Sequence, residues 1–396
     1  MFESIDLAPA DPILGLTEMF KKDARQGKIN LGVGVYMDET GVTGIFESVK
    51  RAELRLLEKE TSKTYLPISG APEYGAAVQQ LIFGAGHEII RAKRAVTAHT
   101  PGGTGALRVG ADFIKRMFPI ARIWVSSPTW ENHAGVFKSA GLEVLTYPYY
   151  DADRKALAFE EMMRVINSVP AGDVVLFHAC CHNPTGMDPN GDQWRAIASA
   201  ADQRDFLPFI DFAYQGLGDG LEEDAFGLRT LCRPGREMIV ASSFAKNFGL
   251  YNERAGALTL VADSEEVALR AFSQLKICIR TNYSNPPAHG GLIVMTVLND
   301  PELRALWLRE VKNMSARING MRALFVRTLK AKGVTRDFSF ITRQKGMFSF
   351  SGLNREQVEM LREKHAIYVV GSGRINVAAM TSGNMERLCE AIADVL

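Results

Sequence analysis

Lys246 stands in Ser243-Phe244-Ala245-Lys246, a run of small and apolar residues just past an apolar stretch that reads as a strand. Most lysines are solvated surface charges. One held at the end of a strand, with Arg254 close by in sequence, has its pKa lowered by like charge and desolvation. The freed amine is a nucleophile suited to forming a Schiff base with a carbonyl. Asp211 closes the apolar run Leu207-Pro208-Phe209-Ile210. It reads either as a helix or loop cap or as a buried carboxylate holding a cationic partner such as a pyridinium nitrogen. In Thr100-Pro101-Gly102-Gly103-Thr104-Gly105, the glycines let backbone N–H groups approach a phosphate, and a following helix adds its positive end. The plainer alternative is a tight strand-to-helix turn with no ligand. A dinucleotide fingerprint fits less well, because Arg108 occupies the place of the third glycine.

His178, Cys180, Cys181 and His182 invite a zinc reading. They lack a C-x-x-C pair, a second cysteine pair and a His-x-x-x-His helix, so packing and hydrogen bonding are expected of them, and no metal. Neither the G-x-S-x-G elbow of a serine hydrolase nor a P-loop occurs.

These residues need a scaffold that gathers them. Strands are predicted over 95–99, 122–126, 143–147, 174–178, 207–211, 238–242 and 257–261, several as continuous Val/Ile/Leu/Phe runs of the kind covered on both faces. Helical patterns over 105–117, 130–139, 159–167 and 193–204 fall between them. That alternation predicts an α/β fold, a mainly parallel sheet wrapped by helices. Ligands bind beyond the carboxyl ends of such strands, so Asn183, Asp211, Tyr214, Lys246, Arg254 and the glycine turn are expected on one rim. From 301 to 330 apolar residues recur in steps of three and four, a long helix with Pro301 in its first turn. Beyond it, strands over 347–351 and 367–370 and helices over 354–364 and 384–396, the last capped by Thr381 or Ser382, predict a smaller α+β unit. Part of the N-terminal segment, including 30–36, is expected to join it.

Composition excludes several classes. The chain has 396 residues, 46 basic against 45 acidic, for a formal charge of +1. No field of either sign favours nucleic acid or an anionic membrane. No apolar run is long enough to span a bilayer. Glu3 and Asp6 stand where a secretory signal carries basic residues, and five sparse cysteines suit a reducing compartment, so a cytoplasmic protein is expected.

The segment 243–256, Ser-Phe-Ala-Lys-Asn-Phe-Gly-Leu-Tyr-Asn-Glu-Arg-Ala-Gly, resembles the lysine signature of class I, fold-type I aminotransferases. So do Asp11-Pro12-Ile13-Leu14-Gly15-Leu16, Asn30-Leu31-Gly32-Val33-Gly34-Val35-Tyr36, Cys181-His182-Asn183-Pro184-Thr185-Gly186, Asp211-Phe212-Ala213-Tyr214-Gln215-Gly216, Ser284-Asn285-Pro286-Pro287 and Ser372-Gly373-Arg374-Ile375-Asn376. The resemblance covers nearly the whole chain and is nearest to bacterial aspartate and aromatic-amino-acid (tyrosine) aminotransferases. It implies pyridoxal 5′-phosphate bound covalently through Lys246, which then shuttles a proton. It also implies Asp211 at the ring nitrogen, Asn183 and Tyr214 at the ring oxygen, and Trp130 stacked on the ring. The phosphate would be held by Gly103, Thr104, Ser243 and Arg254, with Tyr65 from a second subunit. Arg374 and Gly34 would meet the substrate α-carboxylate, and Arg280 of a second subunit the distal one; Trp130 and Asn183 also border the substrate. The implied organisation is an arm over 1–12, a small domain over 13–45 plus 313–396, and a large cofactor domain over 46–312 with a seven-stranded sheet, in a homodimer with shared sites.

Departures from the aspartate pattern bear on substrate choice. Ala245 replaces a phosphate-binding serine, Met37 a lysine, and Thr64 an asparagine, while Leu66-Pro67 matches the aromatic subgroup. Thr104 and Asn285 match the aspartate subgroup. Losing a charge and an amide eases acceptance of apolar side chains, so dual use of aspartate and glutamate and of Tyr, Phe or Trp is expected. The alternatives are an aspartate-selective enzyme, another fold-type I enzyme such as a β-lyase or decarboxylase, and a non-catalytic scaffold.

Overall fold

The computed structural model describes residues 1–8 and 14–396. Residues 9–13, which hold part of the expected arm and half of the Asp11–Leu16 motif, lie outside the described residues. The chain divides into two compact units, one of residues 44–183 and 187–316, the other of 1–43, 184–186 and 317–396.

The first unit is built on a seven-stranded sheet. Its strands are β1 (Ala95–Pro101), β2 (Ile123–Ser127), β3 (Val144–Pro148), β4 (Val174–His178), β5 (Leu207–Phe212), β6 (Met238–Ser243) and β7 (Ala255–Val261). Across the sheet they run β1-β7-β6-β5-β4-β2-β3. All seven predicted strands are present, and β4, β6 and β7 are buried at every position, including their polar residues His178, Ser242, Ser243 and Thr259. Helices α1 (Gly102–Met117), α2 (Asn132–Ser139), α3 (Phe159–Ile166) and α4 (Gly191–Arg204) follow β1, β2, β3 and β4, apart from a short ribbon before α3. Helix α1 buries Val109, Phe113 and Ile114 in one core with Phe209, Ile239 and Leu258 of the sheet.

One strand runs against the rest. β7 is antiparallel to both β1 and β6. The reason lies in the connection: residues 244–254 contain no helix, and a parallel return needs a crossover of a dozen or more residues. The reversal puts the start of β7 at the edge where the other strands end. Gly256 pairs with Thr100 of β1 and with Ser243 of β6.

The second unit carries smaller sheets. Ile29–Asn30 pairs in parallel with Ile367–Tyr368, so the N-terminal segment joins this unit. β8 (Phe348–Phe350) pairs antiparallel with β9 (Arg374–Asn376). Helix α5 (Pro301–Ala331) belongs to the first unit up to Ala316 and to the second from Arg317. Helix α6 (Arg355–His365) is capped by Asn354, and α7 (Ser382–Val395) by Thr381 rather than Ser382, each in a capping box with the third helical residue. No helix among the described residues is long and apolar enough to cross a membrane.

Candidate active site

The carboxyl ends of β4 and β5 set His178 beside Asp211 in register. Asp211 is buried, and its Oδ2 lies 2.9 Å from Nε2 of His133, which is itself fully buried in the first turns of α2. Nδ1 of His133 is 2.7 Å from the Thr129 hydroxyl. This pattern sets Nε2–H to donate to the carboxylate, with Nδ1 bonded to the Thr129 hydroxyl. Burial alone pushes the Asp211 pKa up, but the His133 bond and the nearby positive charge of Lys246 outweigh it, so the group is held below its usual range. Asp211 is therefore a buried carboxylate with a partner, and the capping reading falls away. His178 is pushed down to about 3 by burial, with His133 adding to the fall against Asp211, and stays neutral.

Lys246 follows the end of β6. Burial brings its pKa down to about 8; Asp211 opposes the fall and Arg254 adds to it. Desolvation thus does more than like charge, though both expected causes are present. Its Nζ lies 5.0 Å from the centre of the Tyr214 ring. The Tyr214 hydroxyl accepts a bond of 3.4 Å from Nδ2 of Asn183. Trp130 meets His133 edge-on, ring centres 5.2 Å apart. One cluster thus joins an amine, a carboxylate, a phenol, an amide and an indole.

The glycine turn is the first turn of α1, which starts at Gly102, three positions before the apolar periodicity begins. Pro101 supplies no side-chain cap, so the leading amides of this helix face outward unpaid by a side chain. Gly102 has φ +75°, and a Cβ there would sit 2.6 Å from Nη2 of Arg254. A Cβ on Gly103 would sit 2.9 Å from Cβ of Ser243. The end of β1, the end of β6 and the residue before β7 therefore approach one another as closely as only glycine allows, with Gly102 against Arg254 and Gly103 against Ser243. The donors and charge gathered there suit a phosphate.

The His/Cys stretch divides its contacts, although the His178 and His182 rings still meet edge-on with centres 4.4 Å apart. His178 faces His133 and Asp211, Cys180 and Cys181 approach Asp224, and Nε2 of His182 meets the Ser126 hydroxyl at 2.9 Å. Arg374 and Gly34 come together in the second unit. Nη2 of Arg374 donates to Gly32 O at 2.9 Å, its guanidinium lies 4.3 Å from the Phe348 ring centre, and a Cβ on Gly34 would touch that ring. Tyr65 (92% exposed) and Arg280, bonded to the Ser284 hydroxyl, stand on the surface and take no part in the Lys246 cluster. His133 was not singled out by sequence reasoning. The available signal is its place after the end of β2, on the same rim as the residues that follow the other strand ends.

Residues 26–392 match the model of the family described as aminotransferase class I and II. The chain is 59% identical to the aspartate aminotransferase of Escherichia coli strain K12 and 44% identical to the aromatic-amino-acid aminotransferase of that organism, each over the full length of both chains. Among solved structures, an aromatic-amino-acid aminotransferase from Burkholderia pseudomallei, covalently bound to pyridoxal phosphate, superposes with a TM-score of 0.98 at 49% identity, covering 100% of this chain and 99% of that one.

Proposed function

Because the chain belongs to the class I and II aminotransferases, whose cofactor is pyridoxal 5′-phosphate, we propose that it moves the amino group of L-aspartate and of aromatic amino acids to 2-oxoglutarate. The cycle is ping-pong: it releases the 2-oxo acid first and L-glutamate second. The observation that carries the reading is the half-buried Lys246, its amine brought down to about 8, near a buried Asp211 and near the glycines packed against Arg254 and Ser243.

The residues present fit the cofactor. Gly103, Thr104, Ser243 and Arg254 would take its phosphate; Ala245 offers no further hydroxyl there. Trp130 would cover one ring face, and Asn183 and Tyr214 would meet the ring oxygen. When bound, the cofactor supplies an electron sink for the charge that develops at the substrate Cα. Asp211, its pKa held low by the His133 bond, would keep the ring nitrogen of the cofactor protonated. The Lys246 amine, its pKa brought down to about 8 by burial, takes the proton from Cα and returns it, as a general base and acid must. Arg374 presents a planar fork to the α-carboxylate, with the Gly34 backbone alongside. Arg280 and Tyr65 would serve the active site of a partner copy in a homodimer; their exposure supports that assignment. We place the enzyme in the cytoplasm.

The test is spectroscopic and kinetic. Purified protein should carry a visible band that borohydride removes, with the reduced label mapping to Lys246. Amino transfer from aspartate and from phenylalanine should both be measurable with 2-oxoglutarate as acceptor. A kcat/KM ratio heavily favouring aspartate would defeat the dual reading and leave the selective one.

A further inference from the structure

Arg374 and Asn376 are two residues apart on β9, so their side chains leave the same face. Both reach the segment 31–37, which carries Gly34. The Asn376 backbone N–H donates to Leu31 O at 2.8 Å, and Met37 N–H donates to Ala378 O at 3.0 Å. Arg374 Nη2 takes Gly32 O. Between these, the two hydrogens of the Asn376 amide are divided: Nδ2 donates to Val33 O at 2.6 Å and to Val35 O at 2.7 Å. Its Oδ1 accepts from Ala378 N–H at 3.0 Å, and the residue is fully buried.

The two carbonyls so held flank Gly34 on either side. Gly34 itself lies against Phe348, on whose ring the Arg374 guanidinium rests. All of these groups belong to one unit. We infer that Asn376 is a positioning residue: by gripping Val33 O and Val35 O it sets the Gly34 backbone at a fixed offset from Arg374, so that guanidinium and backbone act on one carboxylate together. The inference rests on the assignment of Arg374 to the substrate carboxylate.

Asn376→Ala removes the grip and leaves Arg374 untouched. The test uses the enzyme loaded with pyridoxal phosphate and succinate as a probe that binds through its carboxylates but cannot react. Calorimetry should show the succinate Kd raised about tenfold, the loss of one charge-assisted bond. The KM for aspartate should rise alike, while kcat and the cofactor Kd stay within about threefold, since Asn376 does not touch the cradle. A merely structural brace would instead lower the melting temperature and leave succinate affinity alone. Asn376→Ser keeps an acceptor for Ala378 N–H and serves if the alanine variant does not fold. A folded variant that binds succinate within twofold of the parent overturns the inference, as does failure of both variants to fold. Arg374→Lys separates the two levels. If it leaves succinate affinity intact, the carboxylate assignment itself is wrong. If it abolishes affinity while the Asn376 variants retain theirs, only the positioning role is.

Discussion

Replacing Gly102 with alanine attacks the anion cradle through a single carbon atom. Gly102 sits at φ +75°, a left-handed backbone that an L side chain holds at a cost of about 1–3 kcal/mol. The new Cβ would lie 2.6 Å from Arg254 Nη2 and 2.9 Å from its Cζ. Those atoms end a flexible side chain, fastened by a bond of 3.0 Å from Nη1 to Tyr251 O, so the guanidinium swings aside. Two effects then separate. Stability falls by the backbone strain. Cofactor affinity falls by one charge-assisted contact to phosphate, about 1.5–3 kcal/mol, or roughly tenfold to a hundredfold in Kd. Denaturant unfolding of the cofactor-free protein reads the first, and a pyridoxal phosphate titration reads the second. Arg254→Gln alone should cost the same affinity with little loss of stability. The double variant should bind the cofactor no worse than Arg254→Gln, because the contact can be lost only once. Additive losses, or full cofactor affinity in Gly102→Ala, would refute the argument that Gly102 acts through Arg254.

Lys246→Ala should bind the cofactor only reversibly and show no measurable amino transfer, checked by gel filtration and a coupled dehydrogenase assay. His133→Ala strands a buried carboxylate oxygen; unfolding stability should drop by about 1–3 kcal/mol, with a loss short of additive when Asp211→Ala is combined with it. The depressed Lys246 pKa makes the unfolded chain bind more protons between about 8 and 10.5. The cofactor-free protein should therefore gain stability as pH rises through that window, by a few kcal/mol at most, and a Lys246→Met variant should lack that part of the rise in urea titrations. Met37→Lys restores a charge expected near the substrate; it should raise the kcat/KM ratio of aspartate over phenylalanine, and an unchanged ratio would remove Met37 from the specificity argument.

The parts of this molecule that were legible in the sequence are those written in local pattern. Strands such as Val174–His178 and Met238–Ser243 open on apolar runs, Val-Val-Leu-Phe and Met-Ile-Val-Ala, and both lie in the sheet. The residues after their ends follow from a topological rule, which is why Asp211, Tyr214 and Lys246 could be placed together before any coordinates. The start of α1 was hidden because Gly102 and Gly103 carry no periodicity and poor helix propensity. His133 was hidden because its bond to Asp211 spans 78 positions and no local spacing announces it. Asn376 was noticed as part of a motif, yet its grip on Val33 and Val35 joins the two ends of the chain.

The reversal of β7 explains why the site needs this sheet rather than any parallel one. In a fully parallel sheet, Arg254 would precede its strand at the amino edge, far from Asp211 and Lys246. Running β7 backwards returns it to the carboxyl edge, between the ends of β1 and β6. The positive cradle and the negative Asp211 then flank Lys246 from two sides, and their effects on its proton oppose one another. With the two charges set against each other, burial decides, and burial favours the neutral amine that the chemistry requires. On the proposed assignment the two charges would meet the two ends of the cofactor, while burial rather than either charge sets the direction of the Lys246 shift.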